Sequence, residues 1–122
     1  LVQLQSISEI LDRHAENGKY YDAQFDSVSG IDFARCDAGA EPSYWIYTLL
    51  CDDSASVEKA LNAAGIAASK LHRPNSLHSI FAGSRRDLPG LDTFYKRLLH
   101  IPCGWWVSDE DRARIVEVIR KG

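Results

Sequence analysis

His72 and His78 stand six positions apart in the stretch KLHRPNSLHSIF (70–81), and they bracket Arg73, Pro74 and Asn75. Paired histidines invite a metal reading, but a zinc site needs three or four converging ligands, usually with a closer pair. Pro74 breaks any helix that would align the two rings, and no cysteine lies nearby in sequence. Two independent polar positions explain the pair more simply, so no metal site is expected. Arg73 and Asn75 differ in kind. A guanidinium offers a planar fork to phosphate or carboxylate, and an amide donates to sugar hydroxyls or oxyanions. Pro74 biases Arg73 toward an extended backbone. That is chemistry for holding an anionic, hydroxyl-rich ligand. The plain alternative, an exposed Arg beside a turn-forming Asn, takes precedence on the residues alone.

Elsewhere the candidates are weaker. Cys103-Gly104 invites comparison with a thiolate stabilised before a helix N-terminus, but it has no recognisable base and Trp105-Trp106 crowd it. A packed, inert thiol is the expected state. Cys51, at the end of an apolar run, reads as core. Trp105 and Trp106 suit an aromatic platform for a sugar or base, or an anchor for the last helix. Neighbouring residues of an extended segment point to opposite faces, so one ring can serve each role. No G-x-S-x-G, P-loop or G-x-G-x-x-G occurs, and no self-sufficient catalytic constellation is expected.

Composition narrows the class. With 122 residues the chain fits one domain able to bury a core without disulfides or metals. Hydrophobic residues at 45% and charged residues at 25% are ordinary for a soluble globular protein. A net charge of −3 and a pI near 5.8 argue against nucleic-acid or anionic-membrane partners. No apolar run approaches a bilayer span, and no export signal opens the chain. Cys36, Cys51 and Cys103 form no C-x-x-C, which fits a reducing cytoplasm. The absence of any Met suggests a piece of something longer.

These residues need elements to position them. Leu4, Ile7, Leu11 and Ala15 share one face of an amphipathic helix over 1–16. Asn17-Gly18 either ends that helix or lets it continue through 19–25 at some cost from Gly18. Residues 26–43 read mainly as loop, with a short strand possible at 31–36. SYWIYTLLC (43–51) is the strongest strand signal. Asp52-Asp53-Ser54 caps a helix with Val57, Ala60, Leu61 and Ala64 on one face, closed by Gly65. IAASKLH (66–72) reads as a second, weaker strand. Leu88-Pro89-Gly90 opens a helix with Leu91, Phe94, Tyr95 and Leu98 on one face, and LLHIP (98–102) is a short strand. Ser108 and Asp111 form a capping-box variant before a final helix carrying Ile115, Val118 and Ile119. The expected architecture is α+β: a small, mostly antiparallel sheet with helices packed on one side.

Four segments together resemble the C-terminal portion of the DegT/StrS-type nucleotide-sugar aminotransferases. RHAENGKYYDAQF (13–25) resembles the family's interdomain helix and SYWIYTLLCDD the strand opening its small domain. ALNAAGIAAS resembles its helix-to-strand passage, and IPCGWWVSDEDRARIVEVIRKG its closing segment. Residues 26–40 match nothing in particular. The resemblance implies the small domain of a type I pyridoxal-phosphate fold, with 1–25 as interdomain helix and 26–122 as the domain proper.

It also implies that the large domain, with the Schiff-base lysine and the cofactor's other ligands, lies outside this chain. The fragment alone would then bind no pyridoxal phosphate and would not transaminate; the full-length enzyme would be a cytoplasmic homodimer acting on a nucleotide-sugar. The segment after the second strand faces the substrate in that family, and many members carry Pro-Leu-His where this chain has His-Arg-Pro-Asn. Arg73 and Asn75 are thereby implied as contacts to anionic or hydroxyl groups, and His72 or His78 as a hydroxyl contact, none of them a proton-transfer catalyst. The other reading is a free-standing binding module on the same fold, supported by Trp105 or Trp106 if exposed. Loss of the large domain would also uncover apolar surface on helix 1–16, through which the isolated chain is expected to self-associate.

Overall fold

The computed structural model describes residues 2–84 and 86–121. The expected first helix, which begins at a residue outside that range, is divided at Ser6 into α1 (Val2–Gln5) and α2 (Ile7–Phe25). α2 runs straight through Asn17-Gly18. Gly18 is needed there because a Cβ would overlap the Tyr44 ring. Asn17 is fully buried and donates from Nδ2 to the carbonyls of Gly104 (3.0 Å) and Val107 (3.2 Å). Its Oδ1 accepts from Arg112 at 3.1 Å. Of the two readings of this pair, continuation holds, and the pair is a docking point.

Strands β1 (Ile31–Phe33), β2 (Tyr47–Cys51) and β3 (Leu98–Ile101) form an antiparallel sheet in the order β1-β2-β3. Leu49 stands opposite Leu99, and Thr48 opposite His100. Alternation along β2 sends Tyr47, Leu49 and Cys51 into the core. They meet Tyr21 and Phe25 of α2, Val57 and Leu61 of α3 (Ser54–Ala63), and Ile115, Val116 and Ile119 of α5 (Asp109–Lys121). Tyr21 and Tyr47 cross edge to face with centroids 5.0 Å apart, a preferred geometry for aromatic pairs.

β2 begins later than the expected 43–51. Tyr44 adopts φ 47°, in the left-handed region disfavoured for a bulky side chain. It is held there from both ends: His14 donates to its carbonyl at 2.9 Å, and its hydroxyl donates to Asp22 at 2.5 Å. β1 occupies only part of 31–36.

The caps follow the sequence. Asp53 accepts the Ser56 N–H at 3.0 Å to open α3, and Gly65 closes it at φ 77°. Ser108 and Asp111 exchange hydrogen bonds at the head of α5. Val118, expected on the buried face of α5, is half-buried, and Val116 is buried beside Ile115 and Ile119. The strand expected over 66–72 is reduced to one bridge between Ser69 and His100. α4 (Pro89–Arg97) buries none of its residues; Leu91 and Phe94 stand exposed.

Trp105 and Trp106 are both exposed, at 56% and 61%, so neither ring anchors α5 in the core. Buried Val107 does so, with its carbonyl accepting from Arg13 and Asn17. Among the described residues no helix is long and apolar enough to cross a membrane.

Candidate functional site

Segment 70–78 leaves the core through a series of side-chain anchors, and these explain why no ladder forms. Asn62, at the end of α3, donates to the Ala68 carbonyl (3.1 Å) and accepts the Ala68 N–H (3.2 Å). Ser69 and His100 exchange both backbone hydrogen bonds, at 3.2 and 2.9 Å. Lys70 then turns its ammonium to the carbonyls of Tyr95 (2.8 Å) and Lys96 (3.0 Å), near the end of α4. The Leu71 N–H donates to the His100 ring at Nδ1, 3.0 Å away, rather than to a strand. A ladder cannot propagate once a backbone donor is taken by a side chain.

Beyond Leu71 the chain turns outward. Pro74, at φ −55° and ψ 132°, enters a 3-10 turn at Asn75–Leu77, and a second follows at Ser79–Ser84. His72, Arg73, Asn75 and His78 are all exposed. The His72 ring lies 5.9 Å from Trp45 and 5.8 Å, edge to face, from His100. Arg73 and Asn75 flank Pro74 on the exposed surface. Among the described residues no group of three or more His, Cys, Asp or Glu is placed to hold a metal ion.

Two contributors went unrecognised in the sequence. Trp45 sits beside His72 and lines a cleft of about 340 Å³ with Ser69, His100, Pro102 and Trp106. His100 is 6% exposed, and burial holds its pKa below the ordinary 6.5, with a smaller push from His72 and an opposing hydrogen bond from Ser69. A lone histidine inside LLHIP was the available signal for it. Cys103 is buried and its thiol is pushed up to about 12, chiefly by desolvation; Cys51 is pushed up to about 11 for the same reason. Neither is a nucleophile in that state.

Apolar surface is also uncovered on helix α2 and beyond the outward segment. Leu4, Ile7 and Leu11 stand exposed along α1 and the first half of α2. Ile80 and Phe81 do so beyond the outward segment, at 83% and 43%.

The model of the DegT/DnrJ/EryC1/StrS aminotransferase family matches residues 1–120. The solved sugar aminotransferase CalS13 from Micromonospora echinospora is similar with a TM-score of 0.93 and 39% identity, over 98% of this chain and 32% of that one. AtS13 from Actinomadura melliaura gives a TM-score of 0.93 and 36% identity over the same shares. The aminotransferase TlmJ from Streptoalloteichus hindustanus gives 0.88 and 26%, over 98% and 33%. The chain thus spans about a third of the length of these solved relatives. No curated protein matches it.

Proposed function

The chain belongs to the DegT/DnrJ/EryC1/StrS aminotransferase family, and from that premise we propose that it is the C-terminal, substrate-capping domain of a pyridoxal-phosphate-dependent aminotransferase acting on a keto-sugar nucleotide. One observation carries this reading: near-complete superposition on about a third of a sugar aminotransferase, at 39% identity. Residues 1–25 serve as the interdomain helix and 26–122 as the small domain. Arg73 and Asn75 bind anionic or hydroxyl groups of the substrate, with His72 or His78 as a hydroxyl contact.

The residues present do not fit pyridoxal phosphate itself. An imine-forming lysine needs a buried, electropositive site. Lys19, Lys59, Lys96 and Lys121 are exposed, and the Lys70 ammonium is engaged by two backbone carbonyls. The cofactor therefore belongs to the N-terminal part of the full-length enzyme, and the chain alone is inactive. The parent works as a homodimer in the cytoplasm, a compartment in which Cys36 remains a free thiol.

Titration of the isolated chain with pyridoxal phosphate, and separately with uridine- and thymidine-diphosphate sugars, tests this. No saturable binding is expected without the N-terminal part, and nucleotide-sugar binding appears once the two are joined. Tight, saturable binding to the isolated chain would overturn the reading in favour of a free-standing binding module. The exposed face of Leu4, Ile7 and Leu11 also lets the isolated chain self-associate. Sedimentation would refute that by showing a monodisperse monomer at high concentration.

A further inference from the structure

The segment that carries His72, Arg73 and Asn75 is tied to the sheet through one residue. His100 pairs with Ser69 through its backbone in both directions and accepts the Leu71 N–H at ring Nδ1. Its ring also faces His72 edge to face at 5.8 Å. Three positions at the root of the segment, 69, 71 and 72, thus rest on a single buried histidine of β3.

We propose that His100 is a positioning residue for the substrate segment: its neutral imidazole fixes where His72, Arg73 and Asn75 stand, and its protonation releases them. This rests on the reading of 70–78 as the substrate-facing segment. With Nδ1 accepting from Leu71, the ring proton sits on Nε2. Adding a second proton places one on Nδ1, where it meets the Leu71 N–H donor to donor. The hydrogen bond is then lost and the segment loses its inner anchor.

The surroundings favour the neutral state. From the segment, His72 faces the ring and disfavours a positive charge on it. From β2, the cross-strand neighbour is the uncharged Thr48. Lys70 directs its ammonium away, to the carbonyls of Tyr95 and Lys96. The Ser69 backbone favours the charged form, but less than burial opposes it.

Hydrogen–deuterium exchange on the full-length protein that carries this chain tests the proposal without any ligand, with rates corrected for the intrinsic pH dependence of exchange. H100L removes the acceptor; H100N keeps an amide oxygen near the place of Nδ1. At about pH 7.5, exchange over 70–78 is expected to rise roughly tenfold in H100L, the effect of one lost hydrogen bond, and to remain near wild type in H100N. As pH falls below the ordinary histidine value of 6.5 the wild type shows a rise over the same peptides that H100N does not show. Peptides from α2 and α5 change less than those of the segment throughout.

Wild-type protection of the segment in H100L would overturn the proposal, as would equal losses in α2 and α5, which signal a general stability role. A pH step in H100N equal to the wild type's would assign the titration to His72 or His78 instead and overturn it too. If H100L does not fold, the wild-type and H100N pH series decide alone. Failure of the nucleotide-sugar titrations with exchange behaving as described would remove the aminotransferase reading and leave the anchor standing.

Discussion

Replacing Gly18 by Ala sets two physical effects against each other. Gly18 lies inside α2, where Ala is intrinsically favoured by about 1 kcal/mol. Against that, the new Cβ would overlap the Tyr44 ring, which is closely restrained. The Tyr44 hydroxyl donates to Asp22, its carbonyl accepts from His14, and its backbone sits at φ 47°. Forcing an extra methyl into a filled site costs about 1–3 kcal/mol. Displacing the ring also weakens a hydrogen bond to a carboxylate, a class contributing about 1.5–3 kcal/mol. The clash wins. We expect G18A to destabilise the chain by about 2 kcal/mol. At an unfolding entropy of about 2.1 cal/mol/K per residue, that lowers Tm by roughly 8 °C for a chain of this size. Thermal unfolding followed by circular dichroism reads the shift directly. In a Y44A background the ring is gone, and the same Gly18→Ala change should raise stability by about 1 kcal/mol. An unchanged or higher Tm in G18A alone, or no reversal of sign in Y44A, would refute the reasoning.

Other expectations follow from buried polar and titratable groups. N17A removes the side-chain donor to the Gly104 and Val107 carbonyls and one of the acceptors of Arg112 at the α2–α5 junction. A loss of about 3 kcal/mol in denaturant unfolding should result. Of the three free cysteines, only exposed Cys36 should react quickly with a disulfide reagent, Cys51 and Cys103 waiting for unfolding. Hydrogen bonding lowers the carboxyl pKa values of Glu16 and Asp109, through Arg13 first, and of Asp111, through Ser108. Their contribution is present at neutral pH and is lost as pH falls below their ordinary range of 3.8–4.5 toward the folded values. His100 adds an earlier loss. Its folded pKa is depressed, so the unfolded chain takes up a proton first and stability falls as pH drops below 6.5. Denaturant midpoints between about pH 7.5 and about pH 5 should show that slope in wild type and not in H100N.

Elements whose signals are local were legible in advance. The Asp53 and Ser108 caps and the Gly65 stop depend on residues a few positions apart, and each stands where its pattern put it. The family was legible for the related reason that four segments carry its spacing, and residues 1–120 match its model. What failed to show in the chain was set by distant partners. The neighbours of Gly18 leave open whether it ends the helix or lies inside it, and Tyr44, far along the chain, decides. The apolar-looking strand at 66–72 became one bridge because Asn62, His100 and the end of α4 claim its polar groups from three directions. From the chain alone, one of Trp105 and Trp106 suits an anchor for the last helix, and both lie on the surface.

The candidate site divides along the same line. The sequence by itself determined which residues can bind an anion or a hydroxyl, because the guanidinium of Arg73 and the amide of Asn75 carry that chemistry wherever they stand. It also determined that they sit beside Pro74, in a turn exposed to solvent. Only the tertiary structure decided what holds that turn in place. His100 is remote in sequence from Leu71, and a hydrogen bond between them exists only after β3 pairs with β2 and brings the ring beneath the segment. Local pattern is a property of neighbouring residues; anchoring is a property of closure between distant ones.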